Sequence, residues 1–419
     1  MLVLSTIVLS LETLFLSSYL SFKVKNKFNP VSVMSYIWIL FLLLSEISGS
    51  KMNYYPVDYQ VVLIVFLFLN VILLTSYFFV SPYTDSQTII TKAVNNVFNV
   101  SDKGVYLLTI FCFVLYVTSQ YFYFKNLSDF IPLNSIFYSI WRWKHLIITG
   151  ELTGNSLLLI GRSVPAIGTI FAVNYLLNKN KKGKRIISFL ILFFYLLLTF
   201  IYPQRDYMAD RFIYVLCPFV VYYRGKVKFF LQWLLPIFLA FIFVFAFIQA
   251  SLSFSDIMSL ESLGAYTFAS FNSLQMVIDY GYASNTDLLL GNTFYFVYMI
   301  LKYISPILKP PDIILEFFGG SYNSVNVYTS LIAPFIDSNG NMLLFCFIVI
   351  VYGLYIGVVF ALSMNIMQKK NDLPALIFFS AAYACSIRSF MNPTFSYGEM
   401  LITACFALFI NVFFRFRKF

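Results

Sequence analysis

"NKNKKGKRIISFLILFFYLLLTFIYPQRDYMADRFIYVLCPFVVYYRGKVK", residues 178–228, decides the fold class. It holds two apolar runs, 186–203 and 206–223, each close to the 20 or so residues a helix needs to cross a bilayer's hydrocarbon core. Five cations precede the first run and three follow the second. Cytoplasmic loops collect Lys and Arg, so both clusters mark inner ends and the joining segment "YPQRDYMADR" is an outer hairpin. That hairpin carries Arg205, Asp206, Asp210 and Arg211 on the side where cations are normally scarce.

The same pattern extends over the chain, which has 419 residues, 60% of them hydrophobic and only 11% charged. Soluble proteins of this size carry about 25% charged residues. Apolar runs at 2–22, 31–50, 60–80, 105–124, 157–177, 186–203, 206–223, 229–250, 341–365, 373–390 and 398–414 read as spans. The expected fold is an all-α polytopic integral membrane protein, one membrane domain over 1–419, with about 11 transmembrane helices in a range of about 10–12. A transmembrane barrel needs alternating segments of about 10 residues, and these runs do not alternate. Residues 1–22 lack a basic leader and an A-x-A-like site, so they read as a first span.

One threading places 18 of the 28 Lys and Arg residues on one side, with the N-terminus outside and the C-terminus inside. The net charge of +10 is therefore a topology signal, answered by anionic lipid, and implies no nucleic-acid partner. The inner loops hold no P-loop and no dinucleotide-binding glycine motif, which argues against a nucleotide-driven activity. All five cysteines lie inside apolar runs without metal-ligand spacing, and His145 is the single histidine. No metal and no other cofactor is expected. Polar sequence concentrates in two outer loops, 125–156 and 251–340, both longer than ordinary connections. Within the second, 293–308 is apolar but too short to span, and reads as an interfacial or re-entrant helix.

Five of the nine arginines but only five of the 19 lysines fall outside. Arg142, Arg162, Arg205, Arg211 and Arg388 thus suggest an anionic ligand, since the guanidinium fork matches phosphate or carboxylate. On a helix, Asp206 and Asp210 form a like-charge pair at i,i+4, and neither Arg205 nor Arg211 stands three or four residues from either. The cluster therefore seeks partners elsewhere. The competing reading is a polar loop tip, with the arginines snorkelling or paired to outer acids. "WRWKH" brings Trp141, Arg142, Trp143, Lys144 and His145 together, either as a sugar- and anion-binding patch or as an interfacial aromatic belt. His145 is a candidate base. "GGSYNSVNVYTSLIAPFIDSNGN" (319–341) offers Tyr322, Asn323 and Asp337 to a carbohydrate, or is a loop capped by Asp337 or Asn339. Arg388 and Glu399 flank the last outer loop and would close the same cavity.

This arrangement resembles the Wzy-type polysaccharide repeat-unit polymerases, the O-antigen polymerase family. The resemblance rests on about a dozen spans, short basic inner loops, the hairpin "YPQRDYMADRF", and a late outer loop matching at Tyr322, Asn323, Pro334, Asp337 and Gly340. It implies a GT-C-like fold and a metal-independent glycosyltransferase of the bacterial plasma membrane, with its site facing the exterior. The implied substrates are undecaprenyl-diphosphate-linked oligosaccharides, as both donor and acceptor, with the lipid bilayer and a chain-length regulator as further partners. Outer arginines, Arg205 and Arg211 first, then Arg142, Arg162 and Arg388, would bind the departing diphosphate. Asp206, Asp210 or His145 would orient groups or accept the acceptor's proton, and Trp141, Trp143, Tyr322, Asn323, Asp337 and Glu399 would hold sugars. A lipid-linked oligosaccharide flippase or exporter and an O-antigen-ligase-type transferase are the alternatives.

Overall fold

The computed structural model describes residues 2–49, 53–83, 102–128, 165–200, 205–223, 269–281, 288–308, 311, 329–390, 395–396 and 399–414. Among these residues every regular element is a helix and no strand occurs. The long elements are α1 (Leu2–Val24), α2 (Pro30–Gly49), α3 (Tyr59–Phe79) and α4 (Asp102–Ser128). Then come α5 (Ile167–Leu177), α6 (Lys182–Phe200), α7 (Arg205–Tyr222) and α8 (Ala269–Tyr280). Two short helices, α9 (Tyr295–Leu301) and α10 (Ile332–Asp337), precede α11 (Met342–Lys370), α12 (Leu373–Arg388) and α13 (Glu399–Phe414). Helices α1, α3, α4 and α11 contain segments long and apolar enough to cross a membrane, and shorter apolar stretches occur in α2, α5, α12 and α13. The protein is a helical membrane protein. The expected span 229–250 lies outside the described residues.

Polar side chains set where several helices begin. Asn29 Oδ1 accepts from Ser32 N at 3.0 Å, Asn341 Oδ1 from Leu344 N at 3.1 Å and Asp372 Oδ1 from Ala375 N at 2.9 Å, ahead of α2, α11 and α12. The cap of α11 is therefore Asn341, not Asp337 or Asn339. Asn339 and Gly340 before it both take positive φ (50° and 77°), a turn for which Asn and Gly are the least strained residues.

The chain divides into two compact units. Unit one comprises 1–83, 259–365 and 385–400. Its α1 is amphipathic in an inverted sense. Thr6, Ser10, Thr13, Ser17 and Ser21 form a buried hydroxyl seam at helical spacing, while Leu4, Val8, Leu11 and Phe15 stay exposed. The seam bonds outward to Glu46, Asn70, Tyr36 and Ser32, the type of polar contact that holds helices together in an apolar solvent. Contacts sort the loops of this unit into two ends. Lys23 with Tyr77 and Tyr83, and Asn365 with Phe79 and Ser81, gather segments that the charge map puts inside. Tyr55 and Asp58 instead meet Asn272, Gln275 and Asp279 of α8, all assigned outside.

Helices α3 and α11 approach closely where Gly353 and Gly357 face Val71 and Thr75. A Cβ on Gly357 would stand 2.6 Å from Thr75 Cβ and 3.0 Å from the Ile72 carbonyl oxygen, and Ser76 Oγ already donates to the Gly357 carbonyl at 3.1 Å. Because one obstacle is backbone, the helices must separate to admit a methyl group. Gly357→Ala is expected to destabilise the protein by about 1–3 kcal/mol, read as a lower unfolding midpoint in detergent. Gly183→Ala, where nothing lies within 4 Å, should leave the midpoint at least as high.

Unit two comprises 84–258, 366–384 and 401–419. Helix α5 packs against α4, α6 and α7 and is buried on nearly all sides. Lys181 pairs with Asp102 at 2.8 Å, joining the starts of α4 and α6 at the end the charge map assigns inside. Pro218 lies inside α7 and cannot donate to the Tyr214 carbonyl. Thr169 Oγ1 of α5 supplies that missing donor at 3.0 Å.

Candidate functional site

Helical backbone from Arg205 to Tyr222 puts Arg205 and Asp206 in the first turn of α7 and Asp210 and Arg211 in the second. The side chains of Arg205 and Asp206 are outside the described residues, whereas Asp210 and Arg211 are only 3% and 2% exposed. Counting about 1.5 Å per residue from the first residues of α4 and α6 places the aromatic partners of Arg211, Tyr116 and Tyr195, about 20 Å along each helix. A guanidinium at that depth loses its hydration and must be repaid by its surroundings.

Tyrosines compensate for that loss. Arg211 Nη1 donates to Tyr116 Oη at 3.3 Å, and its guanidinium carbon lies 5.5 Å and 5.9 Å from the ring centroids of Tyr116 and Tyr195. Desolvated cation–π contacts are worth up to about 2 kcal/mol. The two rings are themselves fixed: their centroids stand 5.0 Å apart, Tyr116 Oη donates to the Tyr195 carbonyl at 3.3 Å, and Tyr195 Oη donates to the Pro165 carbonyl at 3.2 Å. Asp210 lies in the electrostatic surroundings of the same Tyr195. Gly168 makes the cage possible, because a Cβ there would stand 3.0 Å from Tyr195 Cε1 and 3.0 Å from Val215 Cγ2. A preorganised cation ringed by phenols can bind an anion or stabilise a charge that develops on a departing oxygen.

The Thr169–Tyr214 bond lies beside Gly168 and ties α5 to α7 about one turn from Arg211. Thr169→Val keeps the shape and removes the hydroxyl that donates to that carbonyl. It should cost about 1–3 kcal/mol. Thr169→Ser should retain most of the stability, with the two compared by thermal unfolding.

Unit one holds a second buried arginine. Arg388 is 4% exposed at the end of α12. The residue after it is pinned three ways: Trp38 Nε1 donates to Ser389 Oγ at 2.8 Å, and Ser330 N and Oγ donate to the Ser389 carbonyl at 2.9 Å and 2.8 Å. Trp38, Phe68 and Tyr352 make one aromatic layer, roughly 15 Å from the end of α2 and the starts of α3 and α11 at about 1.5 Å per residue. Ser396 joins this layer through Tyr352 Oη at 3.0 Å, and its carbonyl accepts from Phe296 N at 2.9 Å. Irregular backbone at such a depth is tolerated where it is enclosed by protein or lines a cavity.

Asp337 ends α10 and is fully engaged within the chain. Its Oδ1 accepts from Asn292 N and Nδ2 at 3.1 Å and 2.8 Å, and its Oδ2 from Thr293 N and Oγ1, both at 2.7 Å. It clamps the start of the 293–308 segment. That segment contributes only the seven-residue α9 before a 3-10 turn at Pro306–Leu308. Glu399 is the first residue of α13, its side chain outside the described residues. Trp141, Arg142, Trp143, His145, Arg162, Tyr322 and Asn323 also lie outside them. Among the described residues no group of three or more His, Cys, Asp or Glu is placed to hold a metal ion.

Fold and site together define a helical membrane protein with two buried arginines, Arg211 and Arg388. Comparison with protein-family models, with curated proteins and with solved structures found no match.

Proposed function

We propose that this protein is a membrane glycosyltransferase that polymerises undecaprenyl-diphosphate-linked oligosaccharide repeats into surface polysaccharide, on the outer face of a bacterial plasma membrane. The observation that carries the reading is Arg211, buried against two phenol rings next to a buried Asp210. In this reading the hydroxyl of one lipid-linked unit attacks the anomeric carbon of another. The glycosidic bond forms as the bond to undecaprenyl diphosphate breaks, the electron pair leaves with the diphosphate, and the hydroxyl proton passes to a carboxylate or to His145. Arg211 stabilises the charge growing on the diphosphate, and Arg205, Arg142 and Arg162 are further candidates to hold it, while Arg388 is a separate candidate for contact with substrate. Asp210, Asp206 or His145 takes the proton. The finer architecture goes with this reading: about eleven spans in a GT-C-like arrangement.

A lipid-linked oligosaccharide carrier is the second reading, since a carrier would also use a buried cation among aromatic rings to hold a lipid-linked anion. Cells lacking the protein separate the two. Single repeats on the lipid should accumulate on the outer leaflet, open to an added glycosidase, if the protein is the polymerase. Accumulation on the inner leaflet would replace that reading with the carrier.

A further inference from the structure

The inner end of unit two carries a feature that the proposed chemistry does not use. Lys179, Lys181, Lys182, Lys184 and Arg185 fall within seven positions, across the α5–α6 turn and the first turn of α6, and all are exposed. Three tyrosines from the ends of α5 and α7 stand among them. Lys179 Nζ donates to Tyr223 Oη at 3.1 Å and lies 5.4 Å and 5.9 Å from the ring centroids of Tyr223 and Tyr222. Arg185 Nη2 donates to Tyr175 Oη at 3.4 Å, with its guanidinium carbon 5.9 Å from that ring. The Tyr223 hydroxyl beside Lys179 also holds its ammonium above the usual lysine range. Asp102, bound to Lys181, is the single acid that pairs with this cluster among the described residues, and both partners are over 40% exposed. That pair is worth at most about 1 kcal/mol and leaves the cluster strongly positive.

A general inner-side charge bias explains the number of lysines but not the rings that hold two of the cations in place. Nor does it explain the next turns of α6. There Ile186, Ile187, Phe189, Leu190 and Phe193 form an exposed apolar surface that begins where the cations end. Phosphate-binding donors above a strip for hydrocarbon match a lipid molecule from headgroup to acyl chain, whereas a free anion would need only the donors.

We propose that this end of unit two binds the phosphate headgroup of an anionic phospholipid, with its acyl chains along Ile186, Phe189 and Phe193. The full-length protein in neutral detergent is titrated with phosphatidylglycerol, with phosphatidylcholine, or with inorganic phosphate, and its unfolding midpoint is followed. Phosphatidylglycerol should raise the midpoint by roughly 4 °C at saturation. Lys182→Gln with Lys184→Gln removes two exposed cations and leaves the tyrosine contacts in place. The pair should unfold normally without lipid and need roughly tenfold more phosphatidylglycerol for the same shift. Lys179→Gln with Arg185→Gln should weaken the response further. An equal shift from phosphatidylcholine would mean simple solvation of apolar surface, and an equal shift from phosphate would mean a free-anion site. Either result, or an unchanged titration in both double variants, overturns the proposal.

Discussion

Under the proposed function, Arg211→Ala is expected to lower repeat-unit polymerisation by at least about 100-fold, the usual consequence of deleting one preorganised group that stabilises developing charge. Surface polysaccharide collapses to single repeats, read by gel in cells expressing the variant at the normal level. The alanine variant also removes a buried cation from between Tyr116 and Tyr195 and leaves Asp210 behind, so its stability falls too. Arg211→Lys separates the two effects. Lysine keeps the charge and the cation–π attraction but loses the planar fork that grips two phosphate oxygens. Near-normal unfolding with activity down about tenfold or more assigns the guanidinium to the ligand. Full activity in Arg211→Lys would reduce Arg211 to a packing residue.

Asp337→Ala is expected to cost about 3–5 kcal/mol, because it strands four donors from Asn292 and Thr293 that now meet one carboxylate. The loss should be local as well as global. Hydrogen exchange at 292–296 should accelerate, while α5 and α6 in unit two keep their protection. Asp337→Asn should fall between, since its amide presents donors where the clamp needs an acceptor. A clamp therefore predicts a stability defect in both variants. Normal unfolding with poor activity would instead return Asp337 to a direct contact with sugar.

Much of the helical plan is legible in the sequence. Helices α1, α2, α3, α12 and α13 start and stop within a few residues of the apolar runs, because near-continuous apolar stretches bounded by Asn29, Asp58 or Asp372 leave few alternatives, whereas α5 begins only at Ile167 although its run begins at 157. Pro218 announces a missing backbone donor inside α7, but the donor that replaces it, Thr169, joins residues that sequence spacing cannot connect. Arg211 stands out as an arginine on the cation-poor side. Its partners do not: Tyr116 and Tyr195 are two of 31 tyrosines, each set in an apolar run with nothing local to mark it. Asp337 is visible as a polar residue before α11, yet its role depends on Asn292 and Thr293, some 45 residues away. Gly353 and Gly357 are equally silent, since their small size matters only once α3 is placed against them.

The most direct measurement uses purified full-length protein in liposomes with a synthetic undecaprenyl-diphosphate-linked repeat and no other protein. The products are resolved by size, and released undecaprenyl diphosphate is quantified. A polymerase yields a ladder of two and more repeats, with one undecaprenyl diphosphate freed per bond formed, and both signals vanish in Arg211→Ala. Movement of the intact lipid-linked repeat between leaflets, with no bond formed and no diphosphate released, would refute the polymerase reading.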